Sequence, residues 1–220
     1  MTGPAARVRR ALGYIVGAAI VGIPASLLLV QMLRLNDYSI VALPLLVGLG
    51  TLIGLKVAAV EPQTADRISL WDRSIDLASL ILLGILCGGL PAALANGRAS
   101  GVAVEAAIAL AFLAFGTAAA RTLARWHLYD AQAIHVAPFC AILGTLYGVS
   151  MIIGFTLASM IVHQPCAPHA WCIEPDWLSL MLTRGLAIGF SVGLWLTLTL
   201  WLALIVGRRA TSQQPAPLAS

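Results

Sequence analysis

Charge is what this sequence has least of: Asp, Glu, Lys and Arg make up 10% of its 220 residues, against about 25% in a soluble domain. That scarcity excludes a water-soluble fold, a disordered chain, a nucleic-acid module and a cytosolic enzyme carrying one insertion segment. Lysine is nearly missing: Lys56 stands alone beside twelve arginines, as in proteins from GC-rich bacterial genomes. No nucleophile–base pair, no HExxH and no cofactor fingerprint is present, so nothing announces an enzyme. A membrane enzyme could still assemble its site from separated segments.

In place of charge stand apolar residues, 60% of the chain, with a mean hydropathy of +0.93. A bilayer core takes roughly 20 apolar residues per helix. Six stretches meet that length: 11–33, 40–60, 75–96, 101–121, 136–162 and 179–206. The expectation is an all-α integral membrane protein of six transmembrane helices, one membrane domain over 1–220 with a flexible tail at 210–220. The run after Arg7, Arg9 and Arg10 is too long for a signal peptide and lacks the small residue wanted before a cleavage point. It reads as a retained first span.

Arginines outside the spans set the expected orientation. Arg7, Arg9, Arg10, Arg67, Arg73, Arg121, Arg125, Arg208 and Arg209 fall on one side, and only Arg34 and Arg98 on the other. Both termini are therefore expected in the cytoplasm of a bacterial cell, with the protein in its inner membrane. Segment 163–178, free of Arg and Lys, then faces outward.

Two fragments recur. Pro44 precedes Leu49-Gly50-Thr51-Leu52-Ile53-Gly54, and at the same spacing Pro138 precedes Leu143-Gly144-Thr145-Leu146-Tyr147-Gly148. Glu61-Pro62 with Asp76 and Ser79 is echoed by Glu174-Pro175 with Asp176 and Ser179. Two three-helix halves, 11–96 and 101–206, would have opposite orientations, a 3+3 inverted repeat of the kind found in transporters, with a path between the halves. Gly13/Gly17, Gly50/Gly54, Gly84/Gly88, Gly144/Gly148 and Gly185/Gly189/Gly193 are small residues four apart, the spacing that lets membrane helices approach closely. Pro44 and Pro138, inside their spans, are expected to kink them.

Ionisable residues inside spans are costly and so are functional candidates. Lys56 sits near a span end, from which its stem can snorkel to the headgroups. Glu105 and Arg184 lie at similar depth in the fourth and sixth spans, as an ion pair or as part of a transport path. Thr51 and Thr145 fall near mid-bilayer, bonded to their own helix backbones or lining a polar route. Cys87 and Cys140 read as small packing residues. In the outward segment, Cys166 and Cys172 form a disulfide in an oxidising compartment, or His163, Cys166, His169 and Cys172 hold zinc or copper. His127, Asp130 and His135 lie in a cytoplasmic connection, where they titrate near neutrality, bind a metal or are simply solvated.

The stretch Val136-Ala137-Pro138 through Leu143-Gly144-Thr145-Leu146-Tyr147-Gly148-Val149 resembles the signature of the MotA/TolQ/ExbB proton-channel family, in which an A-P dipeptide precedes a G-T-[LV]-x-G segment. Leu182-Thr183-Arg184-Gly185-Leu186 is similar to that family's next helix. The resemblance implies an oligomeric channel around a partner helix, with Thr145 and Thr183 facing the proton path.

Two functions follow as expectations. One is movement of a small ion or solute, protons included, through a path between inverted halves. The other is a non-transporting subunit or assembly factor of a larger membrane complex. The expected partners are the bilayer and a second copy or another membrane protein, with no nucleic acid and no required cofactor.

Overall fold

A computed structural model of the chain describes residues 4–32, 39–60, 69–96, 100–128, 133–162 and 175–212. They form six α-helices and one 3-10 turn, and the described residues contain no strand. Helix α1 spans Pro4–Met32, α2 Leu43–Val60, α3 Leu70–Asn96, α4 Gly101–Arg125, α5 Ala133–Val162 and α6 Pro175–Ser212. Five of them, α2 to α6, carry stretches long and apolar enough to cross a membrane. In α1 the apolar stretch is the shorter Ala11–Pro24, although the helix itself has 29 residues.

The helix ends have local causes. Ser69 and Asp72 close a reciprocal capping box at the start of α3: the Asp72 N–H donates to Ser69 Oγ and the Ser69 N–H to Asp72 Oδ2. Ser100 caps α4 through the Ala103 N–H. That helix stops because His127 turns left-handed, at φ 55°. The His127 and Leu128 N–H groups then bond back to the Ala124 and Leu123 carbonyls, so the last turn is closed. Pro44 does not kink α2. It is the second residue of the helix, just after the 3-10 turn Ser39–Ala42, where its missing N–H has no partner to lose. Pro138 lies inside α5, as expected.

The helices close into a ring in the order α1, α2, α4, α3, α5, α6 and back to α1. Lipid gives helices no hydrophobic reason to associate, so close approach of backbones must supply the contact energy. The glycine pairs do this. Gly13 and Gly17 take backbone and side chains of α6 between Leu202 and Ala210. Gly50 and Gly54 fit against Leu113, Thr117 and Ala120 of α4, and Gly116 returns the fit against Val47 and Thr51. Gly84 and Gly88 meet Tyr147, Ser150 and Met151 of α5. Gly144 and Gly148 interlock with Gly189 and Gly193 of α6.

These contacts also give direction. Residue numbers rise together along α2 with α4 and along α3 with α5, and run oppositely for α1 with α6 and α5 with α6. Odd-numbered helices therefore run one way and even-numbered ones the other. The start of α1 lies beside the end of α6, where Gly13 faces Gly207 and Ala210. The two recurring fragments are packed differently: Gly50 and Gly54 serve a parallel neighbour in α4, Gly144 and Gly148 an antiparallel one in α6. Helix α5 lies along its successor α6, whereas α2 and α3 are not close neighbours.

Candidate functional site

The centre of the ring is apolar and full. Phe115, Leu143, Tyr147, Leu196 and Leu200 are all completely buried there. The Phe115 and Tyr147 rings meet tilted, at 45° with centroids 5.0 Å apart, and Phe112 of α4 meets Trp195 of α6 edge-on at 5.2 Å. Hydroxyls in this region are committed to backbone. Thr51 Oγ1 donates to the Val47 carbonyl at 2.8 Å, and Thr117 does the same to Leu113 at 2.9 Å. Tyr147 Oη donates across to the Ala111 carbonyl of α4 at 2.6 Å. Thr197 Oγ1 donates to Gly193 at 2.8 Å, with the Cys140 carbonyl of α5 at 3.2 Å.

The chemically distinctive cluster lies at one end, where α3 meets α4. Asp76, only 9% exposed, sits about two turns past the Ser69 cap and pairs with the Arg125 guanidinium. Its other oxygen accepts from Trp126 Nε1 at 3.0 Å. Arg73 lies over the Trp126 ring, 5.7 Å from its centroid, and Phe139 of α5 packs edge-on against the same ring. Nearby, an Arg208 guanidinium nitrogen of α6 reaches the Leu128 carbonyl at 3.4 Å. A buried carboxylate is tolerated here because it has both a cation and a neutral donor. Arg9, Arg73, Arg121, Arg125, Arg208 and Arg209 all belong to helix ends gathered at this arginine-rich end.

Of the residues singled out by sequence, Thr51 is buried with its own-helix bond made. Thr145 is half-buried at the α5–α6 crossing, its Cα set against Gly193. Thr183 is exposed, and so is Glu105, one turn into α4. The Arg184 side chain lies outside the described residues, and so does its pairing with Glu105. The same holds for His163, Cys166, His169, Cys172 and Asp130. Cys87 and Cys140 are free thiols packed among apolar neighbours, and Lys56 is exposed on α2. Among the described residues no three of His, Cys, Asp and Glu come together as a metal site.

Sequence reading met Asp76 only as one member of a repeated fragment. The missed signal was geometric. Asp76 and Arg125-Trp126 stand at the far ends of an antiparallel hairpin whose helices have 27 and 25 residues, so the fold brings them level. Compared with family models, curated proteins and solved structures, the chain matches none.

Proposed function

We propose that this chain is a non-transporting subunit of a larger assembly in a bacterial inner membrane, with both ends in the cytoplasm. One observation carries the reading: the glycine-locked ring has a centre filled by Phe115, Leu143, Tyr147, Leu196 and Leu200. Its neighbouring hydroxyls are turned to backbone carbonyls. A molecule built this way acts through its outer faces and its ends. Gathering of arginines at the end that holds both the start of α1 and the end of α6 supports the cytoplasmic orientation.

A second reading is transport of a small ion or solute, protons included, along a path between two inverted halves. Two observations favour it. Helices α1–α3 run opposite to their counterparts α4–α6, and the buried carboxylate Asp76 of the first half is paired to Arg125 of the second. On that reading, and on the resemblance to the proton-channel family, Thr145 and Thr183 face the path once copies or a partner helix complete it.

Purification of the full chain from its native membrane in mild detergent separates the two. The subunit reading expects a different membrane protein at fixed stoichiometry, and liposomes of the purified chain that hold an imposed pH or ion gradient. A self-contained species that collapses such a gradient would overturn it in favour of transport.

A further inference from the structure

The ring is full only up to the contact between Phe112 and Trp195. Away from the arginine-rich end, burial falls off along the face of α4 that carries Phe112. Phe115 and Phe112 are buried and Ile108 half-buried, while Glu105, about two turns beyond Phe112, is exposed. The face of α6 that carries Trp195 opens in the same direction, with Val192 half-buried, Ser191 exposed and Ile188 53% exposed.

The cause lies in α2, which packs on both α4 and α6 but begins late. Gly50 fits against Leu113 to Thr117 of α4, so Leu43, the first residue of α2, comes only about level with Ile108. Pro44 meets Gly22 of α1 there, yet α1 runs on to Met32. Beyond that level α4 and α6, which are not neighbours in the ring, stand apart without α2 between them. The cleft so formed is about 10 Å deep, the rise of two helical turns from Phe112 to Glu105. Its floor is the Phe112 ring set edge-on to Trp195, and its walls are Ile108 on one side and Ile188 and Val192 on the other. The Ser191 hydroxyl donates to the Ala187 carbonyl at 2.9 Å, and Trp195 Nε1 to the Gly22 carbonyl at 3.4 Å. The described lining is therefore apolar below and anionic at the mouth.

We infer that this cleft binds an amphipathic organic cation, its charged centre at Glu105 and its apolar body on the Phe112–Trp195 floor. Contact with two aromatic rings supplies affinity, and the carboxylate selects the sign of the charge. Because the cleft ends on a filled centre, binding needs no passage across the membrane. The inference holds whether the chain is a subunit or a transporter.

Equilibrium dialysis of the purified full chain in mild detergent against tetraphenylphosphonium, with micelles alone as blank, tests this. Saturable binding of one cation per chain is expected. Glu105→Gln should weaken it about fivefold, the loss of one partly exposed charge pair. The same variant should not weaken binding of tetraphenylborate, which has the same shape and the opposite charge. Ile188→Trp, at an exposed position, narrows the cleft from the α6 wall and should also weaken cation binding. Asp72→Asn removes an exposed carboxylate at the opposite end, keeps the cap and should change nothing. Unchanged affinity in Glu105→Gln, as a carboxylate already engaged by Arg184 would give, overturns the proposal. So does an equal loss for tetraphenylborate, an equal loss in Asp72→Asn, or full affinity in Ile188→Trp.

Discussion

Asp76 illustrates how one side chain's role depends on what stands opposite it. A carboxylate in the first turns of an apolar helix is expensive unless it is paired and hydrogen-bonded, and here both conditions are met from one neighbouring helix end. Asp76→Asn keeps an oxygen for Trp126 Nε1 and should cost less than about 1.5 kcal/mol. Asp76→Ala leaves the Trp126 N–H unpartnered at a buried position and Arg125 without its anion, and should cost about 1–3 kcal/mol. Denaturant unfolding of both variants in the same detergent measures the difference, and equal stabilities would show that the Trp126 hydrogen bond contributes nothing. Thr51 makes the opposite point. Its hydroxyl is satisfied within its own helix, so no ligand is needed to account for its burial.

Helices of this protein are held by shape more than by chemistry. Where α2 crosses α4, Gly50, Gly54 and Gly116 let the backbones meet, and a Cβ on Gly116 would press on the Val47 carbonyl and the Thr51 N–H. Gly116→Ala should therefore destabilise the bundle by about 1–3 kcal/mol, as overpacking of a tight contact does. Gly101→Ala, at the start of the same helix with nothing within 4 Å, should lie within about 0.5 kcal/mol of the parent. A thermal shift that failed to separate the two would refute the close-packed crossing. This part of the structure was legible in advance, because small residues four apart have few uses in a membrane helix other than close approach. Which helix each pair would meet was not legible, since the spacing identifies a face and says nothing of its partner. Pro44 shows the same limit: its residue type promised a kink, but its position in the first helical turn made it harmless.

Taken as a whole, the chain is a closed ring of six helices in alternating directions, with its first and last helices side by side. Reporter fusions at the two ends should therefore report the same compartment, and on the proposed orientation that compartment is the cytoplasm. Opposite compartments for the two ends would break the ring. Neighbour relations within the ring also bear on the repeated fragments. Similar strings of residues, Leu49–Gly54 and Leu143–Gly148, sit in helices with different partners, so likeness along the chain did not become likeness of surroundings.

Hydropathy and the glycine spacing alone settled that this is a helical membrane chain, roughly where its helices run and which of their faces touch, because the bilayer admits few backbone solutions. The order of helices around the ring, the filling of its centre, and the meeting of Asp76 with Arg125 and Trp126 were decided by tertiary structure. Each depends on which surfaces fit together across long stretches of chain, and local composition carries no record of that fit.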